Sequence, residues 1–239
     1  MNQRVGRRVA AEFLGTGLLV AAVVGSGIMG TLLSDNLALT LLINAVATVA
    51  ALAVLILVLG PISGAHFNPV VTGVEVIRRE MPVGEACLYL VAQVGGALVG
   101  VALANAMFDL PAWQASTDVR TGFPIWLGEI VATAGLLLVI GALTRTGRGS
   151  LGPVIVPAWI GAAYFFTSST SFANPAVTIG RSLTDTFSGI APASVPAFIA
   201  FQLVGAAIGA LAVEYLYPRP GAAEPLDLPG PIHIGPDPD

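Results

Sequence analysis

An Asn-Pro pair occurs twice within long apolar stretches of this 239-residue chain, and few folds can accommodate that. The first lies in residues 63–72, SGAHFNPVVT, and the second in residues 171–181, SFANPAVTIGR. Asparagine is a favoured helix N-cap and proline is favoured at the first helical position. Each pair therefore predicts the start of a short helix, one over 69–77 and one from 175 to about 184. A helix that begins inside a bilayer is tolerated only where its backbone lines a cavity or is buried in protein.

The bilayer setting follows from composition. The chain is 55% hydrophobic and 10% charged, with a mean hydropathy of +0.85, where soluble domains are about a quarter charged. Six runs are near the roughly 20 residues needed to cross: about 9–33, 37–59, 83–107, 123–143, 151–166 and 195–217. A bend at Gly60-Pro61 is expected to end the second. The two Asn-Pro helices are too short to cross. The basic N-terminal flank precedes an apolar run too long for a signal peptide, so it reads as a retained first span. The tail from 218 to 239 is rich in Pro, Gly and Asp, predicts disorder, and carries much of the acid behind the net charge of −4. That charge implies neither a basic partner nor nucleic acid. Cys87 is the single cysteine, so no intrachain disulfide is possible.

All ten positive charges are arginines. With six spans, Arg4, Arg7, Arg8, Arg78, Arg79, Arg145, Arg148 and Arg219 fall on one side, which the positive-inside rule makes cytoplasmic. Both termini are then cytoplasmic. Arg120 lies in the loop 108–122 on the far side. The first half-helix enters from the cytoplasm and the second from outside.

The halves repeat. AEFLGTGLLV at Ala11 is echoed by GEIVATAGLLLV at Gly128, GAHFNPVVTG by SFANPAVTIG, and AQVGGALVGVALA at Ala92 by FQLVGAAIGALAV at Phe201. One membrane domain, 1–217, thus holds repeat one at about 9–107 and repeat two at about 123–217. Three spans per repeat is odd, so the copies lie inverted. Inverted repeats with broken helices place a substrate site at their interface near the midplane.

Asn68 and Asn174 are the centre of that site. As caps, their side-chain oxygens bind their own helices, leaving the amide hydrogens as lumen donors. Each helix N-terminus carries about half a positive elementary charge, which repels cations and suits the oxygen of a neutral solute. Glu12 and Glu129 hold matching places in spans 1 and 4. A carboxylate in a span needs partners: it serves either a proton relay or, as expected here, the backbone N–H groups leading into a half-helix. Gln93 and Gln202 are paired internal supports. His66 is a gate, a pH sensor or a backbone brace. Glycine and alanine in spans 1, 3, 4 and 6 predict close helix packing. No cofactor, metal cluster or enzyme motif is read from the sequence.

GAHFNPVVT and FANPAVT, with AEFLGTG and GEIVATAG ahead of them, resemble the aquaporin and glyceroporin (major intrinsic protein) family over about residues 10–217. The resemblance implies an all-α membrane protein with six transmembrane helices plus two re-entrant half-helices. It further implies one pore per subunit, a homotetramer in the cell (inner) membrane, and passive flux of water or small neutral solutes. Its motif residues map to Asn68, Pro69 and Val70, where alanine is usual, and to Asn174, Pro175 and Ala176. Its narrow filter maps by spacing to Thr48, Ala162, Ser171 and Val177. An arginine is usual where Val177 stands. These four would make a wide, mildly polar filter without an aromatic, lacking one barrier to cations. Arg181, one turn beyond Val177 on the same face, either reaches the pore or pairs with a carboxylate or carbonyl.

The valine and the run TIGRSLTDTF also resemble a bacterial subgroup associated with arsenic resistance, which implies passage of arsenite and related metalloid acids. A general water and glycerol channel is the second reading. An ion-coupled carrier would need a titratable group in the path, with Glu12, Glu129 and His66 as candidates. A structural role at membrane junctions finds no support in the short loops.

Overall fold

The structure, a computed structural model, describes residues 3–217; the expected disorder of the tail and the side assigned to Arg219 lie outside them. Among the described residues there are eight α-helices and no strands. They are α1 (Gln3–Leu33), α2 (Leu37–Ser63), α3 (Pro69–Ile77), α4 (Val83–Met107), α5 (Phe123–Arg145), α6 (Gly152–Phe166), α7 (Pro175–Arg181) and α8 (Val195–Leu216). Six helical segments are long and apolar enough to span a membrane. α6 alone has 15 residues, and a 3-10 turn at Gly149–Leu151 brings its segment to 18. Leu32, Leu57, Val91 and Leu211 are exposed on the outer surface, where lipid rather than water satisfies them.

Three boundaries differ from expectation. α1 begins six residues before position 9, because Arg8 is tied into the fold: its Nε donates to the Tyr89 hydroxyl at 2.9 Å and it pairs with Glu85. α2 runs through Gly60-Pro61 to Ser63 and stops at Gly64, whose φ of 90° is the left-handed C-cap. Pro61 deletes a single N–H near the last turn, and Gly64 N–H closes that turn on the Gly60 carbonyl at 2.9 Å. α7 ends at Arg181 rather than Thr184. Leu183 N–H folds back on the Gly180 carbonyl, and the Arg181 carbonyl accepts from Ile190 N–H.

Glycine sets the packing within each repeat. A Cβ on Gly96 or Gly100 of α4 would strike the carbonyl of Phe13 or Gly17 on α1. Gly205 and Gly209 of α8 meet the carbonyls of Ile130 and Ala134 on α5 in the same way. Both pairs occupy matching places in the repeat, so each half is clamped identically. The halves then meet along α2 and α6, α4 and α7, α3 and α8, and at the ends of α3 and α7.

The loop 108–122 is packed over the end of α7. Gln114 and Ser116 donate backbone N–H bonds of 3.0 Å to the carbonyls of Leu183 and Ser182. Asp185 accepts from the Thr117 N–H at 2.8 Å and hydroxyl at 2.9 Å. These bonds hold its carboxyl below the usual carboxylate range. Arg120 pairs with Asp118 at 2.8 Å and donates to the Gly189 carbonyl at 2.9 Å.

Candidate functional site

The site is built from the two loops that lead into α3 and α7. Both take the same unusual path. The residues three and one before each asparagine are left-handed: Ala65 (φ 51°) and Phe67 (φ 47°), then Ser171 (φ 54°) and Ala173 (φ 48°). Non-glycine residues hold such angles at a cost of order 1–3 kcal/mol each, and only where the surroundings over-determine them.

The surroundings here are two buried carboxylates. Glu12, fully buried, accepts from His66 N–H (3.0 Å), Phe67 N–H (2.7 Å), the Ser63 hydroxyl (2.7 Å) and the Gln93 amide (2.8 Å). Glu129, also fully buried, accepts from Phe172 N–H (2.9 Å), Ala173 N–H (2.9 Å) and the Gln202 amide (2.7 Å). Each carboxylate thus accepts two backbone N–H groups from the loop that leads into a half-helix. In a trans peptide the C=O points opposite to the N–H. Since these N–H groups turn toward the carboxylates, the carbonyls of Ala65, His66, Ser171 and Phe172 turn away, toward the cavity these residues line.

Each asparagine caps its own helix. Asn68 Oδ1 accepts from Val70 N–H at 3.1 Å; Asn174 Oδ1 accepts from Ala176 N–H at 3.0 Å and Val177 N–H at 3.3 Å. Their amides differ from expectation in one respect. Asn68 Nδ2 donates to the Ala173 carbonyl and Asn174 Nδ2 to the Phe67 carbonyl, both at 2.8 Å. One hydrogen of each amide thus locks the opposite loop, and one remains for the cavity. Gln93 and Gln202 extend the frame by donating to the hydroxyls of Thr72 and Thr178, which donate to the carbonyls of Asn68 and Asn174.

A cavity of about 340 Å³ runs past both asparagines. Thr48, Ser171 and Val177 line it, and so does Val71, which stands to Asn68 as Val177 stands to Asn174. Ala162 does not: it is exposed on the other face of α6. The wall there belongs to Tyr164, whose hydroxyl donates to Thr48 Oγ1 at 3.2 Å. Two residues rotate a helix by about 200°, and spacing cannot fix that rotation across the non-helical residues between α6 and α7. The cavity wall therefore includes an aromatic that counting missed. The signal was a tyrosine in an apolar span, whose hydroxyl needs a partner.

His66 lines the cavity, with Nδ1 at 3.0 Å from Thr72 Oγ1 and its ring edge-on to Tyr89 at 5.4 Å between centroids. Arg181 is buried, lies over the Phe172 ring at 3.4 Å from the centroid, donates from Nε to the Ser188 carbonyl, and also lines the cavity. Sequence reasoning passed over Glu75 and Glu80, which line the opposite end.

The sequence pattern described as "Major intrinsic protein" matches residues 2–173. Aquaglyceroporin AqpS of Rhizobium meliloti (strain 1021) is 50% identical over 210 residues, which covers 88% of this chain and 90% of that one. The glycerol uptake facilitator protein-like 6 of Lactiplantibacillus plantarum is 33% identical over 150 residues, 60% of this chain and 66% of its own. The X-ray structure of the aquaglyceroporin from Plasmodium falciparum superposes with a TM-score of 0.60 at 22% identity, covering 89% of this chain and 95% of that one. That likeness concerns the fold.

Proposed function

The chain belongs to the major intrinsic protein family, and on that premise we propose that it conducts arsenite and related metalloid acids besides glycerol-like polyols and water. It is a multi-pass membrane channel and not an enzyme. The rest of the reading is part of the proposal: a bacterial inner membrane, both termini cytoplasmic, a homotetramer, and a filter at Thr48, Ser171 and Val177 with Tyr164 in place of Ala162.

The conduction path follows from the site. Neutral hydroxylated solutes shed water on entering and need replacements for it. The carbonyls of Ala65, His66, Ser171 and Phe172 accept from solute hydroxyls. The spare amide hydrogens of Asn68 and Asn174 donate to a solute oxygen at the midplane. There the N-termini of α3 and α7 add their partial positive charges, which disfavour cations. Each contact replaces hydration without a deep well, so the solute leaves again.

The observation that carries the wider solute range is Val177, which lines this cavity together with Ser171 and Thr48. Arsenous acid is neutral at pH 7 and carries hydroxyls on a compact centre. It needs donors, acceptors and room, and Val177 leaves room where an arginine would extend. Stopped-flow flux of water, glycerol and arsenite into liposomes tests this. Arsenite should enter well above the rate of empty liposomes; equal rates with water flux intact would leave a general water and glycerol channel. Two of the three groups that an ion-coupled carrier would need in its path, Glu12 and Glu129, are instead bonded to the backbone of the loops.

A further inference from the structure

Arg181 is a buried cation with no counter-ion among the described residues. Only 3% of it is exposed, and among the described residues no carboxylate forms an ion pair with it. The contrast with its neighbour is direct. Arg120 approaches the same Phe172 ring at 5.4 Å but is paired with Asp118. Arg181 uses Nε on the Ser188 carbonyl and its π-face on Phe172. Its Nη nitrogens have no hydrogen-bond partner among the described residues. They are not among the enclosed polar atoms that lack one either, so they face the open space of the cavity that Arg181 lines.

Its level in the cavity follows from helix geometry. Side chains lean toward the N-terminus of their helix and cover the turn before their own Cα. Arg181 lies four residues after Val177 on α7, so its guanidinium lies back over the turn that carries Val177. The stack on Phe172, in the loop before α7, places it on that side. An unpaired ionisable group at membrane depth is costly and marks a pathway.

We propose that Arg181 is the cation of the outer constriction: it excludes cations and donates to solute oxygens from the wall, while Val177 leaves the bore open. The proposal rests on the channel reading above. Position and charge are thereby separated. An arginine at 177 would narrow the bore and charge it together, whereas this arrangement charges it from the side.

The test measures methylammonium, glycerol and water permeability of liposomes holding the wild type, Arg181→Gln, and the double variant Val177→Arg/Arg181→Gln. Methylammonium permeability relative to water should rise at least about tenfold in Arg181→Gln, and the double variant should return it toward wild type. The dipoles of α3 and α7 remain, so the barrier falls without vanishing. Unchanged methylammonium permeability in Arg181→Gln overturns the proposal. So does a double variant that leaks as the single one does, because a merely structural arginine is not replaced by one at 177. Should Arg181→Gln fail to fold, external phenylglyoxal decides. It should slow glycerol flux through the wild type and spare Arg181→Lys; equal slowing of both overturns the proposal. Failure of the channel reading looks different: wild-type liposomes would then pass glycerol and water no faster than empty ones.

Discussion

The two Asn-Pro loops can be compared residue by residue, because they share one frame. Ser63 and Ser169 accept from the N–H two residues on, at 3.1 and 3.2 Å. Glu12 and Glu129 take two backbone N–H groups each. The residue two before each asparagine stacks edge-on against α4 or α8: His66 on Tyr89, Phe172 on Phe198 at 5.0 Å. The loops differ in what they present to the lumen. The position seven after the asparagine is Glu75 in the first and Arg181 in the second, and both line the cavity. The glutamate, glutamine, threonine and asparagine that hold the backbone are the same in both loops, and the residue seven after the asparagine is not. The cavity thus carries a carboxylate from the first half-helix and a guanidinium from the second within one symmetric scaffold.

The largest expected effects fall on the frame. Glu12→Ala and Glu129→Ala each strand two buried N–H groups, at several kcal/mol per group inside a bilayer. Both should destabilise by about 3 kcal/mol or more, read as loss of monodisperse protein after extraction and a lowered Tm. A Glu129→Ala protein as stable as wild type would break the equivalence of the two loops. Next come the caps. Asn174 serves two N–H groups and Asn68 one, so Asn174→Ala should cost about 2 kcal/mol and Asn68→Ala about 1 kcal/mol. Thermal unfolding of the two variants side by side gives the order, and the reverse order would contradict it.

The lumen positions should move selectivity more than stability. Val177→Arg should lower glycerol flux by about tenfold, within the range that pocket fit supplies, and water flux by less. Equal loss of both would remove Val177 from the filter. The smallest effect belongs to Asp185, outside the bilayer. Its carboxyl is held below its unfolded value, so its contribution is present above about pH 4 and is lost as pH falls through the depressed value. Amide exchange in residues 114–118 should therefore quicken below pH 4, after correction for intrinsic rates, and Asp185→Asn should flatten that response.

Much of this was legible in the sequence, for reasons that are local or repeated. α3 and α4 begin and end where capping chemistry and apolar length put them. The bracing by Glu12 and Glu129 follows from two carboxylates at matching places in spans that could not otherwise hold them. The glycine clamps follow from one small-residue pattern occurring twice. Pro61 misled because a proline near a C-terminus costs one bond rather than a helix.

The sequence by itself determined the class of fold, the inverted duplication, the half-helices and their caps, since these depend on neighbours a few residues apart. Only the tertiary structure decided which face of α6 meets the lumen, so that Tyr164 replaces Ala162. It alone joined Asn68 to Ala173 and Asn174 to Phe67, laid residues 108–122 over the end of α7, and brought Arg181 to the cavity with no carboxylate among the described residues paired to it. Each depends on rotation across a non-helical connection or on segments far apart in the chain, and spacing along a sequence carries neither.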